Sequence, residues 1–458
     1  MTVRAIAGLQ PDISAMRRGA CPTLGRPMRT GDGLLARLRP GDCRLTLAQL
    51  RAVAHAAAEH GNGILEVTAR GSLQVRGLRP ASVAPFERAV LTAGIIPASG
   101  VMVEVPPLAG IDPGELIDPR PVAEEIRRAV ASHQPPLLLA PKLAVVVDGG
   151  GRFHLGAVTA DIRLTAVDDR RFLLAVGGTN RSARNVAVVA REKAASAAVH
   201  VLEAIAAAGP AARGRDVNAA ALTDFCDPAA PGMALPSEVQ VFLGIQTLGS
   251  TLAAAEQQVI VLGLGLPYRQ ARASHVIGFL DEIEILGLSD IRLAPGHGLV
   301  VTGLHPGEAM KAKDAASRHG FWTSPVEPRA NISLCAGTAG CASAQYDTLA
   351  VADELAGRAS VLLDGSLTLH LSGCPKGCAH PAPSALALVG APSGYGLVVN
   401  GVASDAPALY IAANDLGIAL ERLASLVAGA KETGECARGC LDRLGPARVA
   451  ATLTLDGQ

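Results

Sequence analysis

Four of the nine cysteines in this 458-residue chain fall in two tight pairs near its C-terminal end. Cys335-Ala-Gly-Thr-Ala-Gly-Cys341 leaves five residues between thiols, and Cys374-Pro-Lys-Gly-Cys378 leaves three. Each pair is set among Gly, Ala and Pro, small or kinked enough for backbone to wrap closely around a bulky group. Four thiolates on two such loops suit a cubane iron–sulfur cluster (4Fe-4S), which is held by cysteine sulfur. Structural zinc also takes four cysteines, but its usual spacing of two to four residues makes a five-residue gap wide. Two disulfides are the other alternative; no secretory signal stands in the chain, and cytosolic thiols stay reduced. Cys21, Cys43, Cys226, Cys436 and Cys440 lie outside this set. Cys436 and Cys440, four apart as on one helical face, read as buried or partly buried free thiols.

Strands and helices around these loops follow from the local pattern. Leu367-Thr-Leu-His-Leu-Ser-Gly373 reads as a strand running into the Cys374 loop. Residues up to about Met16 carry little pattern and read as a loose extension. Gly and Pro in Cys21-Pro-Thr-Leu-Gly-Arg-Pro-Met28 indicate turns, and alternating apolar residues after Gly33 suggest a strand. Thr46 is placed to cap a helix with apolar positions Leu47, Leu50, Val53, Ala54 and Ala57, ending before Gly61. Ile64 to Leu78 reads as a strand kinked at Gly71.

That unit returns at an offset of 226 residues. Leu50, Val53, Ala54 and Ala57 map to Val276, Phe279, Leu280 and Ile283, and Gly61 maps to Gly287. Leu73, Val75, Gly77 and Leu78 map to Leu299, Val301, Gly303 and Leu304. A constant offset across helix, stop and strand predicts an internal duplication. A larger unit is duplicated as well. Pro141 to Asp148 runs into Gly149-Gly-Gly151, and a hairpin of Ile162–Val167 and Phe172–Val176 turns at Asp168-Asp169. Its counterpart is Leu367–Gly373, then Ala385–Val389 and Gly396–Val399, with helices expected over Val186–Ala208 and Leu409–Ala430. Asp148-Gly-Gly-Gly151 stands where the Cys374 loop stands, so only the second half carries the cysteines. The expected domains are 17–85, 86–226, 237–310 and 325–455, with Asp227–Pro236 as the linker.

Composition narrows the classes. Hydrophobic residues make up 49% and charged residues 18%, enough apolar material for a large core in two or more domains. The 41 basic residues balance the 41 acidic ones, which gives no bulk reason to expect nucleic acid or membrane binding. One Trp, four Tyr and seven Phe are too few for a base-stacking platform. No uninterrupted apolar run is long enough to span a bilayer, and Ala194–Ala208, broken by His200 and Glu203, reads as a buried helix. A soluble, cytoplasmic protein is expected.

The cysteine pattern resembles that of the sulfite and nitrite reductase superfamily, and the resemblance covers nearly the whole chain. It implies an α+β, internally duplicated architecture, each half a small ferredoxin-like α/β unit plus a larger α/β unit, around a central cleft. It also implies a four-iron cluster on Cys335, Cys341, Cys374 and Cys378, the last bridging to a sirohaem iron in the reductases. The superfamily's Thr-x-Arg-x-x-x-Gln motif is present as Thr68-Ala-Arg70-Gly-Ser-Leu-Gln74. Lys142 matches the first of a lysine pair whose second member is replaced by Ala144. Glu104–Asp112 lacks the arginine of a third motif. Half the charge for a small oxyanion is therefore missing, which argues against sulfite or nitrite.

One branch, the precorrin-3B synthases of aerobic cobalamin biosynthesis, is similar in Cys21-Pro22, Pro27-Met28, Gly31-Asp-Gly-Leu-Leu-Ala-Arg-Leu38 and Pro107-Leu-Ala-Gly-Ile-Asp-Pro113. The similarity implies that the tetrapyrrole is the substrate. Molecular oxygen would hydroxylate precorrin-3A at a meso carbon, and an acetate side chain would close a lactone. The branch is associated with a mononuclear non-haem iron besides the cluster. No ligand spacing locates that iron, and His370 and His380, which flank the second cysteine loop, read as ordinary hydrogen-bonded histidines. Arg70 and Lys142 are expected to face the tetrapyrrole carboxylates. Gln74 and Arg76 would share the face of Arg70 if the strand stays regular past Gly71. No catalytic residue is identified. A sirohaem-dependent reductase with an eroded site, or a non-catalytic iron–sulfur subunit, are the alternatives. Gly263-Leu-Gly265 lacks the rest of a dinucleotide fingerprint, so a protein electron donor is expected.

Overall fold

A computed structural model describes residues 22–98, 100–218, 227–228, 235, 243–249, 258–324 and 327–454. The expected N-terminal extension, Cys21, Cys226 and most of the expected linker lie outside the described residues. The first half begins with β1 (Met28–Thr30), β2 (Gly33–Leu38), β3 (Arg44–Thr46), α1 (Leu47–His60), β4 (Ile64–Val67), β5 (Leu73–Leu78) and α2 (Val83–Thr92). Thr46 caps α1 reciprocally: Gln49 N donates to Thr46 Oγ1 (3.1 Å) and Thr46 N to Gln49 Oε1 (3.0 Å). That satisfies two backbone donors the helix itself leaves open. The larger unit follows as β6 (Met102–Glu104), α3 (Arg120–Ser132), β7 (Ala144–Asp148), β8 (Ala160–Ala166), β9 (Arg171–Gly178), β10 (Arg184–Ala190), α4 (Arg191–Ala208) and β11 (Asp227–Pro228).

The second half repeats both. Its small unit is β12 (Gly244–Gly249), β13 (Gln258–Gly265), β14 (Gln270–Arg272), α5 (Ala273–Glu284), β15 (Asp290–Ala294), β16 (Gly298–Leu304) and α6 (Pro306–Arg318). Its large unit is β17 (Ile332–Leu334), α7 (Gly337–Gly340), α8 (Thr348–Arg358), β18 (Leu369–Ser372), β19 (Ser384–Ala391), β20 (Gly394–Gly401), β21 (Leu409–Ala412), α9 (Leu416–Ala430) and α10 (Ala437–Thr454).

The duplication is borne out strand by strand. The small sheets run β1-β2-β5-β4-β14 and β12-β13-β16-β15-β3. Each borrows its last strand from the other half: β14 pairs with β4, and β3, which stands 226 residues before β14, pairs with β15. Helices α1 and α5 then pack together, and one apolar core, including Val53, Leu73, Phe279 and Val301, serves both small units. The large sheets run β11-β10-β9-β8-β7-β6 and β17-β18-β19-β20-β21. In each, three strands are parallel and the rest antiparallel, so β6–β10 correspond to β17–β21.

Two sequence expectations need correction. Ile64–Leu78 is an antiparallel hairpin, because Thr68 and Ser72 close a turn (Thr68 N to Ser72 O, 2.8 Å) around Gly71 at φ +76°. The expected helices Val186–Ala208 and Leu409–Ala430 each open with a strand, β10 and β21. The β-branched Val186-Ala-Val-Val189 and the alternating Leu409-Tyr-Ile411 favour strands over a first helical turn. Cys440 is buried as expected, whereas Cys436 is exposed.

Candidate cluster site and cleft

The four paired cysteines lie on the two loops that leave two neighbouring parallel strands. Cys335 follows β17, and Cys374 lies two residues beyond β18. None is disulfide-bonded. Gly373 N donates to Cys335 Sγ (3.2 Å), Gln345 N to Gly373 O (2.8 Å) and Thr348 Oγ1 to Cys335 O (2.7 Å), which ties the two loops together. Burial pushes the Cys335 and Cys374 thiols above their ordinary value, and the neighbouring cysteines add to the rise. The β1–β2 turn closes over this group. Ala342 N donates to Gly31 O (3.0 Å), and a Cβ on Gly31 would stand 2.2 Å from Cys341 Sγ.

Cys335 and Cys378 also line a cleft of about 630 Å³. Gln74 and Arg76, two apart on β5, line it together, as their parity implies. Arg76 grips Asp32 (2.7 and 2.9 Å) and reaches Glu66 (3.3 Å). Burial would raise the Asp32 carboxyl, but Arg76 holds it below the usual carboxylate range. Gln74, with its amide oriented to suit both neighbours, accepts from Arg37 (3.0 and 2.6 Å) and donates to Glu66 (3.1 Å). This network sets two carboxylates against two guanidiniums.

The remaining cleft cations are Arg29, Arg269 and Lys376, and sequence reasoning missed all three. Arg269 is half-buried and donates to Ala379 O (3.4 Å); among the described residues no carboxylate pairs with it. Burial lowers its pKa, opposed in part by the charge of Glu66. Lys376 donates to Ser343 Oγ (3.1 Å), and Arg29 is exposed. His297, also missed, lines the same wall.

Arg70 and Lys142 lie elsewhere. Arg70 sits in the β4–β5 turn rather than on a continued strand, so it does not share the Gln74–Arg76 face. It pairs with the buried Glu104 (3.1 and 3.0 Å), which also binds Arg39 (2.6 Å). With Lys142, Arg213 and Arg215 it lines a second cavity of about 220 Å³. The motif region that lacks an arginine thus supplies a carboxylate that absorbs the charge of Arg70. His370, expected to be hydrogen-bonded, is buried on β18, 5.7 Å from the His380 ring, and among the described residues neither of its ring nitrogens has a partner.

The first-half counterpart of this site is filled. Thr68, Gln74 and Leu35 stand 226 residues before Ala294, Val300 and Val261. Those three pack with Leu108 and Phe153, from the loops that replace the cysteine loops, in a closed apolar cluster. There Asp112 accepts from Gly114 N (2.9 Å) and Arg152 N (2.7 Å), joining the two loops by hydrogen bonds instead of thiolates. Among the described residues, no three of His, Cys, Asp and Glu converge to hold a single metal ion, and no helix is long and apolar enough to cross a membrane.

Fold and site together define a sulfite/nitrite reductase-like protein. Residues 26–93 match the nitrite/sulfite reductase ferredoxin-like half domain. The structure of the Mycobacterium tuberculosis NirA protein superposes with a TM-score of 0.65 at 18% identity, covering 91% of this chain and 84% of that one. The sulfite reductase [NADPH] hemoprotein beta-component of Xylella fastidiosa is 26% identical over 31% of this chain and 27% of its own length. Precorrin-3B synthase of Sinorhizobium sp is 49% identical over 450 residues, 96% of this chain and 95% of the relative. The chain belongs to the precorrin-3B synthase family.

Proposed function

We propose that this chain binds precorrin-3A in the cleft and converts it, with molecular oxygen, to precorrin-3B. The observation that carries this reading is the match of nearly the whole chain to a precorrin-3B synthase. The absorbed charge of Arg70 supports it against a small-anion reductase, since a guanidinium already paired with buried Glu104 has little left for sulfite or nitrite. Arg29, Arg269 and Lys376 would take substrate carboxylates, each costly to desolvate unless paired, and Arg76 and Gln74, held by Asp32, Glu66 and Arg37, would shape the wall beside them. Lys142, which lines the second cavity with Arg70, Arg213 and Arg215, would take an outlying carboxylate there.

Hydroxylation places one oxygen atom of O2 in the substrate and releases the other as water, which consumes two electrons and two protons. Cys335, Cys341, Cys374 and Cys378 would hold a four-iron cluster. Thiolate donors and Gly31 and Gly373, which leave no room for side chains at the loops, fit such a group. When bound, it would supply one-electron transfer at the cleft wall. The residues around it fix the loops and keep the wall cationic. The described residues offer no ligand set for a mononuclear iron, and none is assigned. A separate protein would deliver the electrons.

Absorbance of the isolated protein tests the choice. A cluster signature without a tetrapyrrole band, followed by uptake of added precorrin-3A, is expected. A bound sirohaem Soret band would favour the reductase alternative, and intact cluster without precorrin uptake would favour a redox subunit.

A further inference from the structure

His297 stands at the tip of the β15–β16 hairpin, facing the cleft. Its counterpart at the 226-residue offset is Gly71, at the tip of β4–β5. Both positions are left-handed, φ +68° at His297 and +76° at Gly71. Glycine occupies such a position without a Cβ clash, whereas histidine holds a strained backbone there, and strain of this kind persists where it serves a site. The two tips meet: Gly296 N donates to Ala69 O (3.0 Å), and a Cβ on Gly71 would lie 3.2 Å from the Ala294 carbonyl carbon and from Pro295 N.

The ring is oriented by one bond. His297 Nδ1 lies 2.7 Å from Val67 O, and a carbonyl only accepts, so Nδ1 carries the proton. Burial, with Arg269 nearby, lowers the imidazole pKa to about 4, so the ring stays neutral. Nε2 is then an acceptor only, and no described group donates to it. The rest of the cleft is rich in donors: Arg29, Arg37, Arg76, Arg269, Lys376 and Gln270. Glu66, the acceptor carboxylate among the lining residues, is occupied by Arg76 and Gln270.

A tetrapyrrole polycarboxylate at neutral pH is the complement of such a wall. Its periphery carries acceptors, and its donors are the pyrrole N–H groups at the centre. Those N–H groups exist only while the macrocycle holds no metal. We propose that His297 Nε2 accepts a hydrogen bond from a pyrrole N–H, so that the cleft selects a metal-free macrocycle over its metal chelate. This rests on the tetrapyrrole reading of the cleft given above.

Sirohydrochlorin and sirohaem make a matched pair of probes, with the same peripheral carboxylates and either N–H or iron at the centre. Titration of the cluster-loaded protein with each, for wild type, His297→Phe and His297→Asn, tests the assignment. Asn tolerates a left-handed backbone and can still donate to Val67 O, so it guards against a variant that fails to fold. Both substitutions are expected to weaken sirohydrochlorin binding roughly three- to tenfold, the effect of one hydrogen bond, and to leave sirohaem affinity unchanged. Unchanged affinity for both probes, or equal losses for both, overturns the assignment. So does His297-dependent tight binding of sirohaem with the spectrum of a nitrogen axial ligand. If wild type turns over precorrin-3A while sirohydrochlorin binding ignores position 297, the inference fails alone. If wild type takes up neither probe nor precorrin-3A, it fails together with the functional reading.

Discussion

Cys374 heads the loop beyond β18, and with Cys335, Cys341 and Cys378 it completes the thiolate set proposed for the cluster. Cys374→Ser is expected to strip iron and sulfide from the purified protein while the apolar cores stay folded; unchanged iron and sulfide content would exclude the assignment. Arg269 and Arg70 should respond differently to substitution. Among the described residues no carboxylate is hydrogen-bonded to Arg269, so Arg269→Gln should leave melting intact and raise the precorrin-3A KM by roughly ten- to a hundredfold. Arg70→Ala leaves Glu104, 2% exposed, with Arg39 alone, and should cost about 1–3 kcal/mol of stability in a denaturant titration. Lys142→Ala should lower precorrin affinity without that cost, and unaltered affinity would remove the second cavity from the substrate site. The cysteine pairs could be singled out in the sequence because the spacing within each pair is local. Arg269 and His297 could not be, because a turn and a hairpin tip carry them into the cleft from elements without a motif.

At the scale of elements, the loop between β6 and α3 takes the place of the first cysteine loop and is held by carboxylates. Glu115 accepts from Gly110 N (2.7 Å). Burial, opposed by that bond and reinforced by Asp118, Asp112 and Asp148, pushes its carboxyl up to about 8. The native state therefore keeps a proton that the unfolded chain releases near the ordinary glutamate value of 4.5. Between these two values the native state binds more protons, so stability falls as pH rises and levels off above about 8. Glu115→Gln should remove the penalty, raising stability by about 1–2 kcal/mol at alkaline pH and changing little near pH 4. Equal melting shifts at both pH values would refute this. Local signals such as the Thr46 cap and the Leu50–Ala57 face were read correctly because helix caps and apolar spacing act within a few residues. The β4–β5 turn was missed because Gly71 suits a kink as readily as a reversal, and only pairing of Leu65 with Val75 decides between them.

At the scale of the molecule, duplication was legible in a constant offset, but the exchange of β3 and β14 was not. Arg44–Thr46 and Gln270–Arg272 are short, and their partners lie in the opposite half. The exchange makes the halves interdependent. Fragments divided in the linker should each be insoluble or molten, because α1 and α5 would lose their shared core, while co-expression should restore a cooperative melt. A cooperative melt from either fragment alone would contradict this. Nor could sequence show why two halves make one cleft. Val300, Ala294 and Val261 fill with apolar packing the place that Gln74, Thr68 and Leu35 leave open. Whether this remaining cleft oxygenates a tetrapyrrole is decided by turnover of precorrin-3A under isotopically labelled dioxygen. A product carrying one labelled oxygen atom in its new hydroxyl, with label appearing also in water, is the expected result. Unaltered precorrin-3A from cluster-loaded, reduced protein that instead consumes sulfite or nitrite would contradict it.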